Sequence, residues 1–381
     1  MYSRKELRWG TALVLLLAAA ACSPRSSERA DTGQIDSAAA ESSTSGAFAE
    51  ARTSAAAPHQ QMQAVLTELE ALHPKPIPQL SAAAARKQPT PADAVKALLK
   101  KEGKSTAPEP VGNVTNRTIP GAGGPIHIRI YTPKGAGPFP VVVYYHGGGW
   151  VIADLDTYDA SPRALTNLAN AVVVSAHYRQ GPEHKFPAAH QDAFAAYRWV
   201  LSNAKSLKGD PSKVAVVGES AGGNLAAAVA MMARDSGAQM PVHQVLVYPI
   251  AGYDVNTPSY LENADAKPLN KPMMQWFFEN YLRSPADGKN PLIDLVHANV
   301  QGLPGTTVIA AQIDPLRSEG KQLADRLKDA GVEVDYKNYE GAAHEFFGMG
   351  AVLDDAKEAQ GQAAAGLKKG FEGTRPESAQ R

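Results

Sequence analysis

Val214-Ala215-Val216-Val217-Gly218-Glu219-Ser220-Ala221-Gly222 is the stretch of this 381-residue chain whose reading decides the fold. The β-branched run 214–217 has the composition of a buried strand, and the Ala-rich run 224–233 that of a helix. Between them, Gly218 and Gly222 allow a sharp turn with Ser220 at its apex. A serine placed there raises its hydroxyl above the sheet. It also sits at a helix N-terminus, where backbone N–H groups and the helix dipole favour developing negative charge. A Gly-containing turn that merely starts a helix has the same residues, so the surrounding sequence has to decide.

Upstream, Val141-Val142-Val143-Tyr144-Tyr145 reads as a strand that runs into His146-Gly147-Gly148-Gly149-Trp150. Successive glycines leave backbone N–H groups bare to a ligand oxygen, which an oxyanion hole requires. For the glycine run alone, a flexible loop is the alternative. Downstream, 307–312 reads as another buried strand, followed by Ile313-Asp314-Pro315-Leu316-Arg317. An acid at the C-terminal end of a strand in an α/β sheet lies on the edge where ligands bind. After a strand expected at 333–338, Gly341-Ala342-Ala343-His344-Glu345-Phe346-Phe347 places His344 in a Gly/Ala loop. The chain order Ser220, Asp314, His344 is that of the α/β hydrolases and differs from the chymotrypsin and subtilisin orders. Other histidines make poorer bases. His59, His73 and His127 precede the core elements, His146 belongs to the glycine loop and His243 starts a strand.

These blocks resemble the bacterial hormone-sensitive-lipase family of carboxylesterases within the α/β-hydrolase superfamily. His146-Gly147-Gly148-Gly149-Trp150, Gly218-Glu219-Ser220-Ala221-Gly222-Gly223, Asp314-Pro315-Leu316 and His344 match that family's motifs in order. Tyr178-Arg179-Gln180-Gly181-Pro182-Glu183 resembles a further one, and the match covers roughly residues 60–370. The departures are His177, where the family usually has Asp, Gln180-Gly181, where Leu-Ala is common, and Glu219, where Asp or Thr is frequent. The resemblance implies an α/β-hydrolase fold: a mostly parallel central sheet, helices on both faces and a helical cap. It implies catalytic Ser220, Asp314 and His344, an oxyanion hole from Gly147, Gly148 and Ala221, and support from His146, Gly149 and Glu219.

The chemistry follows from the residue types. A serine hydroxyl is a weak nucleophile until a base takes its proton. His344 would take it and return it to the leaving alkoxide, while Asp314 holds the imidazole tautomer. An acyl-enzyme on Ser220 would form and be hydrolysed, with short- to medium-chain carboxylic esters as the expected substrates. An amidase, peptidase or lactamase would use the same triad, and a non-catalytic binding protein would share the fold. The family resemblance favours esters, and the presence of all three triad residues disfavours a silent relative. Ser220 at the elbow disfavours an Asp-nucleophile hydrolase such as an epoxide hydrolase.

Other classes find little support. Lys+Arg and Asp+Glu balance at 38 each, so no basic face for nucleic acid is implied. His344-Glu345 begins like a zinc motif, but Gly348 stands where the second His belongs. No glycine-rich phosphate loop carries Lys-Ser or Lys-Thr, and no metal or cofactor is expected. The expected partner is a small-molecule ester. Oligomeric state is not legible.

Arg4, Lys5 and Arg8 precede a short apolar run at 12–21, too short for a membrane span, and Ala19-Ala20-Ala21-Cys22 follows. This resembles a bacterial lipoprotein signal. It implies a signal peptide at 1–21, lipidation of Cys22 and export to a membrane-anchored place in the periplasm or outer membrane. Ordinary Ala-x-Ala cleavage to a soluble exported protein is the alternative. Cys22 is the one cysteine, which excludes an intrachain disulfide. Residues 22–58 have the Ser-, Ala-, Thr- and Glu-rich composition of a disordered tether.

At 59–109, Met62, Val65, Leu66, Leu69 and Leu72 form a helical stripe, repeated by Ala92, Val95, Leu98 and Leu99. A purely stabilising helix pair would show the same pattern; the resemblance implies cap helices. The catalytic domain is expected at 110–370, opening with the alternating strand Ile126, Ile128, Ile130. A second cap segment at 251–290 contains Pro272-Met273-Met274-Gln275-Trp276-Phe277-Phe278, which suits core or pocket wall equally. A last helix is expected at 352–367 and a polar tail at 371–381.

Overall fold

In the computed structural model, which describes residues 56–373, the β-branched runs become the centre of one eight-stranded sheet. The expected signal at 1–21, Cys22, the tether as far as residue 55 and the tail beyond 373 lie outside the described residues. The strands are β1 (Asn113–Gly121), β2 (Gly124–Thr132), β3 (Phe139–Tyr145), β4 (Val172–His177), β5 (Gly209–Glu219), β6 (Gln244–Val247), β7 (Thr306–Ile313) and β8 (Val334–Ala343). Their spatial order is β1-β2-β4-β3-β5-β6-β7-β8. β1 and β2 form an antiparallel hairpin, β2 runs antiparallel to β4, and every other neighbouring pair is parallel. The α/β fold with a mostly parallel sheet is therefore present.

The helices of the described residues are α1 (Gln60–Ala71), α2 (Ala82–Ala85), α3 (Pro91–Lys101), α4 (Ala160–Ala169), α5 (Ala188–Asn203), α6 (Ala221–Ser236), α7 (Pro258–Glu262), α8 (Lys271–Tyr281), α9 (Arg317–Asp329) and α10 (Asp354–Glu372). They cover both faces of the sheet, which is why its central strands read as unbroken apolar runs. The period of two divides each strand between two cores. Val141, Val143 and Tyr145 of β3 belong to the core that also holds Val200 of α5, Leu225 and Val229 of α6 and Leu323 of α9. Val142 and Tyr144 belong to the core on the other face, with Leu165 of α4, Ala359 and Leu367 of α10, and the apolar stripes of α1 and α3. Each fully buried aliphatic side chain of this kind contributes about 1.5–3 kcal/mol relative to exposure.

Local signals place the helix ends. Thr90 and Asp93 form a reciprocal capping box at the start of α3, with Pro91 in the first turn. The Asn270 side chain accepts from Met273 N–H at the start of α8. Gly237, at φ +67, stops α6.

The last helix, expected at 352–367, runs over Asp354–Glu372 and so takes in the first residues of the expected tail. Two boundaries beside the site differ as well. The helix expected at 224–233 extends over Ala221–Ser236, so it begins at the residue after Ser220. The late strand expected to end at 338 continues as β8 to Ala343. A register shift after Ala311 lets Ala343 pair with Ile313, so His344 follows the strand directly instead of standing in a separate loop. Among the described residues, no helix is long and apolar enough to cross a membrane.

Candidate active site

β5 ends at Glu219 and α6 begins at Ala221, leaving Ser220 alone in the turn with φ +56 and ψ −119. A non-glycine residue in such a conformation is strained and persists only where its surroundings hold it. A Cβ on Gly218 would lie 1.9 Å from the Gly222 carbonyl oxygen, and one on Gly222 would lie 1.9 Å from the Tyr145 carbonyl oxygen. Both positions therefore require glycine. The Ser220 N–H donates to Val247 O at 2.9 Å, and its carbonyl accepts from Asn224 and Ile250 N–H. These bonds tie the turn to β6 and α6.

The ends of β7 and β8 bring the other two residues to it. Ser220 Oγ lies 3.0 Å from His344 Nε2, and His344 Nδ1 lies 2.6 Å from Asp314 Oδ2. All three side chains are buried. Asp314 Oδ1 also accepts the Leu316 N–H at 2.8 Å, which fixes the carboxylate plane. Burial disfavours the imidazolium of His344, but the charge of Asp314 and the hydrogen bond it accepts outweigh this. The His344 pKa is raised above the ordinary 6.5, with smaller contributions from Glu345 and Glu219.

The glycine loop lies against the same turn. Gly148 and Gly149 have φ +92 and +58. A Cβ on Gly147 would fall 2.2 Å from Tyr158 Oη, and one on Gly149 would strike the Phe277 ring at 2.2 Å. Among the described residues, the N–H groups of Gly147, Gly148 and Ala221 donate to no protein acceptor. Gly148, Gly149, Ser220 and His344 line one cavity of about 900 Å³.

His146 is a support of this loop. Its Nδ1–H donates to Gly147 O at 2.8 Å, which leaves Nε2 as the acceptor for His177 Nδ1–H at 3.1 Å. Burial and the neighbouring His177 push its pKa down to about 3, so it stays neutral. The departures at 177 and 180–181 thus have structural parts to play. Gln180 Nε2 donates to the carbonyls of Ile152 and Ala153, just beyond the glycine loop. A Cβ on Gly181 would lie 2.7 Å from Asn280 O.

Glu219, beside the serine, points away into the core. It accepts from Tyr144 Oη at 2.5 Å and Tyr248 Oη at 2.6 Å. Burial pushes its pKa up to about 7 despite those hydrogen bonds. Sequence reasoning missed four side chains here: Tyr144, Tyr158, Tyr248 and Glu345. Glu345 had a visible signal, since it follows the triad histidine directly. The tyrosines had none, because their partners are remote in the chain.

Side chains from 59–109 and 251–290 also line the cavity. Leu66 and Leu69 of α1, Ile77, and Met273 and Phe277 of α8 all line it. Of the aromatic cluster in α8, Phe277 and Met273 thus form wall. Trp276 instead joins these two segments, donating from Nε1 to Leu80 O at 3.2 Å.

The chain is similar to proteins already known. Residues 142–348 match a family described by the α/β-hydrolase fold. The chain is 41% identical over 249 residues to carboxylesterase NlhH of Mycobacterium tuberculosis, covering 64% of this chain and 78% of that protein. It is 35% identical over 250 residues to an arylesterase of Saccharolobus solfataricus, covering 64% of this chain and 80% of that one. A hyperthermophilic esterase from the archaeon Pyrobaculum calidifontis superposes with TM-score 0.75 at 39% identity, covering 82% of this chain and 98% of that one. The chain belongs to the α/β-hydrolase fold family, in its hormone-sensitive-lipase-like branch.

Proposed function

We propose that this carboxylic ester hydrolase works as a serine esterase, through an acyl-enzyme on Ser220. His344 is the general base that activates Ser220 and then the acid that protonates the leaving alcohol. Asp314 orients the imidazole and stabilises the imidazolium. Gly147, Gly148 and Ala221 N–H groups hold the oxyanion of both tetrahedral intermediates. The observation that carries this reading is the hydrogen-bonded chain Asp314–His344–Ser220 at 2.6 and 3.0 Å, at the floor of a cavity lined by the glycine loop. Named relatives that are esterases support it.

The substrates in this reading are esters of short to medium acyl chain, because both cap segments bound the cavity. We also propose that the chain is exported and anchored through a lipidated Cys22, on the strength of the residues around it. A flexible coil of about 35 residues would span roughly 30–35 Å and hold the hydrolase clear of a lipid surface.

Ser220→Ala is expected to lower kcat by on the order of a millionfold, and a fluorophosphonate should label Ser220 in the parent protein. Labelling at another residue, or an intact esterase rate in the variant, would contradict the assignment.

The active form needs a neutral His344, whose pKa lies above 6.5 because of Asp314. The kcat/KM profile should therefore fall with falling pH through a limb placed above pH 6.5. A limb below the free imidazole value would remove His344 as the base.

In a series of chromogenic esters, kcat/KM should rise with acyl length and then drop beyond about eight carbons, each methylene gained adding about 0.8 kcal/mol of burial. Sustained turnover of long-chain emulsions would refute the closed pocket.

For location, fractionation of cells expressing the full chain should find the protein in detergent-extracted membranes, and Cys22→Ser should release it. Recovery as soluble protein with an unmodified Cys22 by mass spectrometry would refute the anchor.

A further inference from the structure

Glu345 is the side chain of the site to which the acyl-transfer steps above assign no task. It follows His344 directly, in a left-handed backbone conformation (φ +73) that residues other than glycine rarely take. It lines the same cavity as Ser220 and His344, with 21% of its side chain exposed there. Its Oε1 accepts a hydrogen bond from Tyr158 Oη at 2.5 Å and stands 3.9 Å from His344 Nε2. Tyr158 in turn abuts the glycine loop, where a Cβ on Gly147 would fall 2.2 Å from its hydroxyl. The carboxylate is thus clamped between the oxyanion loop and the catalytic edge of the base. Burial, with the nearby charges of Glu345 and Glu219, holds the Tyr158 hydroxyl protonated far above neutral pH, so Tyr158 acts only as donor to Glu345.

A gap of 3.9 Å is too long for a direct hydrogen bond between Nε2 and Oε1. It is the span that one water at about 2.8 Å from each atom bridges. We infer that Glu345 positions the water that hydrolyses the acyl-enzyme, a role that rests on the acyl-enzyme reading above. The water donates one hydrogen to His344 Nε2 and the other to Glu345 Oε1, which leaves a lone pair for the acyl carbon. On attack the new C–O bond forms, and the first proton moves to Nε2. The carbonyl electrons go to the oxyanion held by the loop N–H groups. Collapse breaks the bond from carbon to Ser220 Oγ, which takes the proton back from Nε2, and the carboxylic acid leaves. Glu345 gains and loses no proton; it aims the nucleophile through a hydrogen bond that the first, acylating step does not need.

The distinguishing readout is therefore the second half-reaction. Pre-steady-state mixing of the full chain with p-nitrophenyl acetate separates the acylation burst from steady-state deacylation, and added methanol competes with water for the acyl group. Glu345→Gln and Glu345→Gly are expected to keep the acylation rate within about twofold and to slow deacylation by about tenfold or more. Methanol should capture a larger share of the acyl groups than in the parent. The glycine variant suits the left-handed backbone, so the test survives if the amide variant misfolds. Deacylation unchanged in both variants, or acylation and deacylation reduced together, would overturn the role of Glu345 while leaving the acyl-enzyme intact. Absence of any acetylated Ser220 in the parent by intact-protein mass spectrometry would instead overturn the acyl-enzyme reading, and this inference with it.

Discussion

Backbone meets backbone at the turn between β5 and α6: neither Gly218 nor Gly222 has room for a Cβ, the first against Gly222 O and the second against Tyr145 O. That contact forces Ser220 into its unusual conformation and lifts its side chain off the sheet. A residue held there costs on the order of 1–3 kcal/mol. The cost is offset by what the turn connects. α6 buries Leu225 and Val229 completely, each worth about 1.5–3 kcal/mol. The Ser220 backbone is bonded to β6 on one side and to α6 on the other.

The carboxylates around this turn have different hydrogen-bond donors. Asp314 accepts from a backbone N–H and from the His344 ring, and its charge is what raises the pKa of His344. Glu219 is equally buried but is met by two tyrosine hydroxyls, which are weaker donors than a cation. Burial therefore prevails there, and its pKa rises to about 7. Glu219 works as a brace joining β3, β5 and the segment after β6, while Asp314 works on His344. Glu345 stands between these extremes, half-buried and open to the cavity.

Around the cavity, the segments at 59–109 and 251–290 meet each other and the sheet domain through different kinds of contact. Arg86 reaches the carbonyls of Val151 and Gly181 and pairs with Glu183, so the N-terminal segment touches the loop that follows the glycine run. Glu70 pairs with Lys267 across the cavity mouth, with both side chains more than half exposed. An exposed pair of this kind contributes about 0.2–1 kcal/mol. The burial of Met62, Val65 and Leu98 in the core therefore anchors α1 and α3 far more strongly than their surface charges do.

The sequence by itself determined what depends on residue type over a short span. The glycine-flanked elbow, the glycine run, the β-branched central strands and the chain order of Ser220, Asp314 and His344 were all legible. The first three are made by neighbours in the chain, and the last was read from the order of separate sequence blocks. Tertiary structure alone decided the rest. β1, which is mostly exposed, carries no apolar alternation and forms because β2 pairs with it. β8 runs on to Ala343 only because β7 shifts register beside it. The brace of Tyr144 on Glu219 joins residues 75 apart, and the clamp of Tyr158 on Glu345 joins residues 187 apart. Hydrogen bonds at such separations exist only once the sheet order brings the strand ends together, and no local pattern encodes that order.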